Sequence, residues 1–374
     1  MDALVCTKCS KSYNLNEPIW RCPSCGGVLD LEFTPVFDRR KIQSRPPSLW
    51  RYREALPLAS EANIVSFGEG FTPLLGVDFG GVQVLVKQDH LFQTGSYKDR
   101  GAALLISKAK ELGVRTVVED SSGNAGCAIA AYCARAGIAC HIYVPESTSS
   151  GKLAQIHHYG ATLHLVPGSR EDTAAAVLKA AEEVYYASHS WNPFFFHGTK
   201  TFAFEVFEQL GWRAPDTLIL PAGNGTLLLG AAIGFKELAE AGLTDRVPKI
   251  IAVQAVGCAP LATAFREGFS SPPVIQREDT LAEGIAIAEP VRGTQILRAV
   301  RNSGGAFLTV GEKEIEEALM ESCRRGFYIE PTAAATVAGV RKYVQATADR
   351  EVIVSVFTGH GLKSTEKMLR LIGS

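Results

Sequence analysis

Hydrophobic and polar positions alternate between two kinds of segment from about residue 82 onward. Short runs of β-branched and apolar residues predict strands, whereas longer segments with apolar positions three or four residues apart predict helices. The pattern predicts strands at 82–86, 116–118, 140–144 and 162–166, alternating with helices at 97–112, 124–136, 151–159 and 170–185. Glycines follow three of these helices, at Gly113, Gly137 and Gly160, as is common where a helix ends. The alternation predicts a wound α/β sheet.

A second block of the same kind follows. Its strands are predicted at 217–220, 250–256 and 352–357, and its helices at 227–241 and 313–325. Two α/β blocks with glycine-rich turns predict a ligand-binding crevice outside the carboxyl ends of the strands. The predicted organisation is a ribbon-like segment at 1–33, a linker and the start of a large domain at 34–90, a small α/β domain at 91–199, and a large α/β domain at 200–374.

Four of the nine cysteines form two CxxC pairs at the N-terminus. They are Cys6, Cys9, Cys22 and Cys25, with twelve residues between the pairs. Two such pairs can hold one tetrahedral zinc ion and are typical of a zinc ribbon, and four thiolates leave no open position for catalysis. The sequence therefore predicts structural zinc, with reduced, metal-free thiols as the alternative. The other five cysteines stand among apolar residues and are expected to pack in the core.

The composition and net charge of the chain argue against some classes of partner. The chain has 374 residues, of which 46% are hydrophobic, and 38 Lys and Arg against 39 Asp and Glu give a net charge of -1. This balance argues against nucleic acid or an anionic membrane as the main partner. The sequence shows neither an apolar run of the roughly 20 residues that a membrane span needs nor a secretory leader, so we expect a cytoplasmic protein.

Three segments carry candidate chemistry. A lysine, Lys98, stands at a predicted helix start in TGSYKDRG (94–101), where a nearby anion is favoured and the lysine can form a Schiff base. Glycine-rich turns, SSGNAG (121–126) and PAGNGT (221–226), each follow a strand and precede a helix. Backbone amides in such turns can approach a phosphate.

These three segments, in order with GEGFTPL (68–74), EPTAAATVAG (330–339) and FTGHGLK (357–363), resemble the fold type II pyridoxal-phosphate enzymes, most closely threonine synthases. The resemblance covers residues 68–363. The N-terminal cysteine segment is similar to that of some threonine synthases and of the related cysteate synthases. The resemblance implies a fold like that of the tryptophan synthase β chain, with two wound open-sheet domains and a cleft between them, and pyridoxal 5'-phosphate as the cofactor.

The resemblance also implies roles for individual residues. Lys98 would hold the cofactor as a Schiff base and then act as the base at the substrate α-carbon. Asn124 would bind the phenolic oxygen of the cofactor, and Thr358 would face its pyridine nitrogen. The cofactor phosphate would lie on Gly223, Asn224, Gly225 and Thr226. The residues implied in substrate binding are Thr94, Ser96, Ser121, Ser122 and His197.

The sequence departs from the threonine synthase pattern at several positions, two of which bear on an anionic substrate. These enzymes commonly carry an arginine in an NPxR segment that binds the substrate phosphate, and the matching segment here reads NPFFFHGTKT (192–201), with Phe195 at the arginine position. A phenyl ring offers neither charge nor hydrogen-bond donor. Asp120 stands where a small residue is usual, and its carboxylate would repel an anionic substrate. A basic side chain could replace the arginine; the candidates are Lys152, Arg170, His197 and Lys200.

The expected function is therefore a lyase or synthase that removes a β or γ substituent from a small amino acid, with conversion of O-phosphohomoserine to threonine considered first. The alternatives are β-replacement on O-phosphoserine, deamination of serine or threonine, and a non-catalytic relative that binds an amino acid. A homodimer is expected because the family often forms one. Glu283 lies in a segment that lines the cofactor cleft in this superfamily. It is expected to support the residues that contact the cofactor rather than to contact the cofactor itself.

Overall fold

The structure is a computed structural model that describes residues 2–148, 150–168, 170–347 and 351–372. The side chains of Lys152 and Arg170 lie outside the described residues. The strands are β1 (Ala3–Cys6), β2 (Ser12–Tyr13), β3 (Leu29–Glu32), β4 (Leu74–Phe79), β5 (Val82–Lys87), β6 (Thr116–Glu119), β7 (Ala139–Pro145), β8 (Thr162–Val166), β9 (Tyr185–Tyr186), β10 (Thr217–Pro221), β11 (Lys249–Ala255), β12 (Ala306–Val310) and β13 (Ile353–Val356).

The α-helices alternate with these strands. They are α1 (Arg39–Ser44), α2 (Lys98–Glu111), α3 (Asn124–Ala136), α4 (Ser150–His158), α5 (Arg170–Ala180), α6 (Pro193–Thr199), α7 (Thr201–Gln209), α8 (Thr226–Glu240), α9 (Pro260–Arg266), α10 (Gly293–Asn302), α11 (Glu312–Arg324), α12 (Pro331–Ala346) and α13 (Thr365–Ile372). In the part of the chain that the structure describes, no helix is long and apolar enough to cross a membrane.

The chain divides into two compact units. The first comprises residues 1–70 and 98–201, and the second comprises 71–97 and 202–374. The sequence-based domain boundaries at 33, 90 and 199 stay predictions.

The first unit contains two sheets. The N-terminal sheet is antiparallel, with the order β2-β1-β3, and the second sheet is wholly parallel, with the order β8-β7-β6-β9. Helices α2 and α3 pack against each other, and α3 packs on β7. Gly137 ends α3 in a left-handed conformation, with φ of 69°, and its amide closes the last turn.

The second unit is built on one six-stranded sheet. The strand order is β12-β11-β10-β13-β5-β4, and all neighbours are parallel except β4 and β5. All five residues of β10 are buried, as expected for a parallel strand covered on both faces. Lys87 and Glu205 form an ion pair of 2.8 Å in this unit, and both side chains are wholly buried.

The predicted wound α/β architecture is confirmed, and most predicted elements lie within a few residues of their predicted positions. One helix is shorter than predicted. The segment 170–185 was expected to be helical throughout, but α5 ends at Ala180 and Tyr185 begins β9. Tyr185 and Tyr186 pair with β6, and the gain from burying aromatic residues on a sheet outweighs continuation of the helix.

Candidate active site

Lys98 is the first residue of α2 in the first unit and is half-buried. Its Nζ lies 5.6 Å from the centre of the Phe195 ring. The next two residues, Asp99 and Arg100, are wholly buried, so they fix the first turn of the helix in the core. The lysine therefore stands at the end of a firmly packed helix, with an aromatic face beside its amine.

Phe195 belongs to the core under this helix. It lies on α6, which packs closely on α2, and its side chain is wholly buried. A Cβ atom at Gly101 would overlap the Phe195 ring, and a Cβ atom at Gly198 would overlap the carbonyl of Arg100. Two glycines thus permit the close crossing of the two helices, and the ring fills the space at Gly101.

A buried acid lies near the lysine. Glu119, at the end of β6, is wholly buried, and its Oε1 lies 2.6 Å from Nδ1 of His189. Burial, together with the charge of Asp120, raises the pKa of Glu119 well above its usual range, although the positive charge of Lys98 opposes the shift. Among the described residues, Oε2 of Glu119 has no hydrogen-bond partner.

The turn at 121–124 lies between β6 and α3. The amide of Gly123 donates to Ser121 Oγ at 3.2 Å, and a Cβ atom at Gly126 would overlap the Ser121 carbonyl. The N-cap residue of α3 is Gly123, which has no side chain to bind the first amides of the helix. Amides at the start of a 13-residue helix suit an anion such as a carboxylate. Ser121, Ser122 and Asn124 are all partly accessible here.

Asp120, which the sequence predicts to repel an anionic substrate, has a hydrogen-bond partner in the structure. Oδ1 of Asp120 accepts a hydrogen bond of 2.7 Å from the Tyr186 hydroxyl. This bond occupies one carboxylate oxygen and directs it toward β9.

His197 and Lys200 lie together in the first unit. Both side chains are buried, and Nζ of Lys200 lies 3.1 Å from Nδ1 of His197 and 5.1 Å from the centre of the Phe33 ring. The ammonium group of Lys200 is therefore already in contact with a buried imidazole and with the face of the half-buried Phe33 ring.

The turn at 221–226 belongs to the second unit, between β10 and α8. Gly225 is the N-cap residue, with φ of 68°, and α8 begins at Thr226. A Cβ atom at Gly223 would lie 2.9 Å from Cα of Ile285, so only glycine fits there. The glycine turn and the uncapped start of a 15-residue helix fit a bound phosphate.

Tyr97, the residue before Lys98, contacts this turn. Its hydroxyl lies 2.6 Å from Thr226 Oγ1, and its amide donates to the Thr358 carbonyl at 3.0 Å. Thr358 is buried, and its hydroxyl donates to Oε1 of Glu330 at 3.4 Å. The second unit thus brings Thr226 and Thr358, both named from the sequence, onto the residue that precedes Lys98. Sequence reasoning assigned no role to Tyr97 or Glu330, although both lie inside quoted motifs.

Thr94 and Ser96 lie in the turn that precedes α2. The Thr94 carbonyl accepts a hydrogen bond of 2.9 Å from Lys363, and Ser96 forms an isolated antiparallel bridge with Gly359. The Ser96 hydroxyl is buried and has no hydrogen-bond partner among the described residues. A buried hydroxyl without a partner fits a place where a polar ligand group binds. Glu283, by contrast, forms an ion pair of 3.0 Å with Lys367.

The N-terminal cysteines form one cluster. The thiol sulfurs of Cys6, Cys9, Cys22 and Cys25 all lie within 4.8 Å of one another. The amides of Lys8 and Cys9 point at the Cys6 sulfur, at 3.4 and 3.5 Å. Four sulfurs at tetrahedral angles around zinc would lie about 3.8 Å apart. The geometry therefore fits the predicted structural zinc.

Tyr13 supports this cluster. Its hydroxyl lies 3.1 Å from the Cys22 sulfur. Although burial opposes ionisation, hydrogen bonds from Tyr13 and from backbone amides lower the pKa of the Cys22 thiol to about 6. Metal binding requires the thiolate, so this environment suits a ligand.

The family model for pyridoxal-phosphate dependent enzymes matches residues 65–359. This chain belongs to that family. It is 38% identical to the threonine synthase of Methanocaldococcus jannaschii, over 98% of this chain and 94% of the relative. It is 35% identical to the threonine synthase of Methanosarcina acetivorans, over 98% and 93% of the two chains.

Similarity to solved structures supports the fold. The processed form of threonine deaminase isoform 2 from Solanum lycopersicum matches with a TM-score of 0.72 and 21% identity, over 97% of this chain and 98% of that one. The fold type II assignment and the pyridoxal-phosphate cofactor are thus confirmed, and the protein is a pyridoxal-phosphate dependent lyase. The individual site roles stay predictions.

Proposed function

We propose that the protein is a lyase of the threonine synthase type that acts on O-phosphohomoserine. Relatives named threonine synthase that align over almost the whole chain support this reaction class. Within the structure, the observation that carries the proposal is the double contact of Tyr97 with Thr226 and Thr358. It ties the proposed phosphate turn and the proposed pyridine partner to the residue that precedes Lys98.

The cofactor, when bound, supplies an electron sink for the bond broken at the substrate α-carbon. Lys98 would hold the cofactor and then move the proton at that carbon. The amides of residues 223–226 and the Thr226 hydroxyl would hold the cofactor phosphate. Asn124 would hold the phenolic oxygen, which fixes the ring plane.

Other residues would bind the amino acid. The amides at the start of α3, with Ser121 and Ser122, would bind its carboxylate. The hydroxyl of Ser96 and the segment at Thr94 would contact the polar groups of the substrate. Thr358, whose hydroxyl already donates to Glu330, would face the ring nitrogen with an uncharged oxygen.

The buried state of Phe195 favours a second candidate function, deamination of an unphosphorylated hydroxy amino acid such as serine or threonine. A ring that is wholly buried offers nothing to a phosphate. In this second candidate the same residues would hold the cofactor and the carboxylate, and hydroxide would leave instead of phosphate.

The test adds O-phosphohomoserine, O-phosphoserine, L-serine and L-threonine separately to the cofactor-loaded protein. Released phosphate, threonine and 2-oxo acid are measured. We expect phosphate and threonine from O-phosphohomoserine. A 2-oxo acid from serine or threonine alone would replace the first proposal with the second. Lys98→Ala is the control and should abolish both turnover and the visible absorbance of the bound cofactor.

A small amino acid is thus the proposed partner, and the expected homodimer is part of the same proposal. Sedimentation of the cofactor-loaded protein tests it, and a monomer across the working concentration range would contradict it.

A further inference from the structure

The N-terminal cysteine segment, residues 1–33, contacts the rest of the first unit through an aromatic residue, Trp20. Trp20 lies between the two CxxC pairs and is buried. Its indole Nε1 donates to the Ala181 carbonyl at 3.1 Å. Its ring meets Tyr186 edge-on at 4.9 Å and Trp191 edge-on at 5.5 Å. Edge-on contacts of this kind fix the relative orientation of the rings, and burial of the large apolar ring surface stabilises the packing.

Tyr186 links Trp20 to Asp120, the residue just before the turn at 121–124. Its ring contacts Trp20, and its hydroxyl donates to Asp120 Oδ1 at 2.7 Å. Burial, and then the charges of Asp120 and Glu119, raise the pKa of Tyr186 well above its usual range, so the hydroxyl keeps its proton and donates. Asp120 is joined by one peptide bond to Ser121.

The turn at 121–124 also has hydrogen bonds of its own. One hydrogen bond within it is the donation from the Gly123 amide to Ser121 Oγ. Asp120 lies at the carboxyl end of β6, where the ladder to β7 and β9 has just ended. A charge-assisted hydrogen bond at this point is therefore well placed to set the path of the following residues.

A second contact joins the same segment to the lysine helix. Asn16 Oδ1 accepts a hydrogen bond of 3.1 Å from Nζ of Lys108, which lies on α2 and also contacts the Phe194 ring at 5.5 Å. The cysteine segment thus touches both elements of the first unit that carry proposed site residues, α2 and the β6–α3 turn.

We propose that Tyr186 and Trp20 are positioning residues: Trp20 holds the Tyr186 ring, and Tyr186 holds Asp120, so that the cysteine segment sets the position of the turn at 121–124. This inference rests on the proposed function only in assigning the amino-acid carboxylate to that turn. The position of the turn itself is measurable without any substrate.

The first measurement is hydrogen exchange of the cofactor-loaded protein in the absence of substrate. Tyr186→Phe removes only the hydroxyl and keeps the ring on Trp20. We expect faster exchange of the amides in 120–125 and unchanged exchange in 223–230. Tyr143→Phe is the matched control, because the Tyr143 ring packs against the same aromatic cluster. Exchange in 120–125 equal to that of the unaltered protein would overturn the proposal.

The second measurement separates positioning from simple stability. Tyr186→Phe should raise KM for O-phosphohomoserine roughly tenfold, as expected for loss of a hydrogen bond to a charged group, with the visible absorbance of the bound cofactor unchanged. Asp120→Ala should have a similar effect, and the double variant should be no worse than either single variant. Additive effects of the two substitutions on KM would overturn the pairing.

Trp20→Phe tests the link to the cysteine segment. It should retain bound metal, and it should speed exchange in 120–125 as Tyr186→Phe does. Slow, unaltered exchange in this variant would limit the role to Tyr186 and overturn the role of Trp20. If the unaltered protein does not turn over O-phosphohomoserine, the proposed function fails, whereas the exchange measurements still decide this inference.

Discussion

The phenyl ring of Phe195 occupies the space that a side chain at position 101 would need. A Cβ atom at Gly101 would overlap the ring, and the Phe195 side chain is wholly buried. The resemblance to threonine synthases predicts a phosphate-binding arginine at position 195. In this protein the position serves the packing of α6 against α2, and any phosphate of the substrate has to be bound by other groups.

Phe195→Arg should therefore fail to restore a phosphate site. It would bury an unpaired charge near Lys98, and we expect the free energy of unfolding to fall by about 3 kcal/mol or more. Denaturant unfolding and KM for O-phosphohomoserine are the measurements. Phe195→Leu is the control and should cost about 1 to 2 kcal/mol while retaining turnover. A stable arginine variant with a lower KM would show that the side chain reaches the substrate.

Tyr97→Phe tests the contact with Thr226. Removal of the hydroxyl leaves Thr226 Oγ1 without this partner, at 2.6 Å in the structure. We expect affinity for pyridoxal 5'-phosphate to fall by roughly fivefold, the loss of an ordinary hydrogen bond. Affinity for pyridoxal, which lacks the phosphate, should be unchanged; both are measured by absorbance titration.

The control for this variant is Tyr328→Phe. Tyr328 is a partly exposed residue of the second unit, and its ring lies edge-on to the ring of His360. Equal loss of affinity for both forms of the cofactor in Tyr97→Phe would contradict a role at the phosphate.

Cys22→Ser tests the cysteine cluster. A serine hydroxyl does not ionise near neutral pH, so the four-ligand set is broken. We expect roughly one zinc per chain in the unaltered protein and almost none in the variant. Metal analysis is the measurement, with limited proteolysis of residues 1–33 alongside, because loss of the ion should loosen this segment. Cys323→Ser is the control, and equal metal content in the two variants would argue against a zinc site.

His90 should make the protein sensitive to acid. Burial, and then the charge of His360, lower its pKa to about 4, although Asp89 opposes the shift. The unfolded chain takes up this proton near pH 6.5, whereas the folded protein does so only near pH 4. Stability is therefore lost as the pH falls through this interval, by about 2 kcal/mol at pH 4.5.

His90→Phe should remove this contribution, because a phenyl ring keeps the edge-on contact with Phe357 and carries no titrating group. Denaturant unfolding at pH 7 and pH 4.5 measures the difference for both proteins. An equal loss of stability in the variant would assign the acid sensitivity to other groups.

The four central strands of the second unit's sheet, and three of the four strands of the parallel sheet in the first unit, could be predicted from the sequence. Strands such as β10 consist of consecutive apolar residues, and the turns that follow contain glycines in recognisable order, so local pattern suffices. The same order of motifs pointed to Lys98, Asn124, the turn at 223–226 and Thr358. The two CxxC pairs predicted a cluster that the structure confirms, because four ligands in two short knuckles need little long-range information.

Only the tertiary structure shows which side chains surround these residues. The sequence could not show that Phe195 fills a space at Gly101, that Tyr186 holds Asp120, or that Tyr97 joins Thr226 to Thr358, because each pair is separated by tens of residues or more. Such contacts depend on how helices cross and on which side chains meet at the strand ends. The local pattern of apolar and polar residues determines the elements, whereas close packing of distant side chains determines the site.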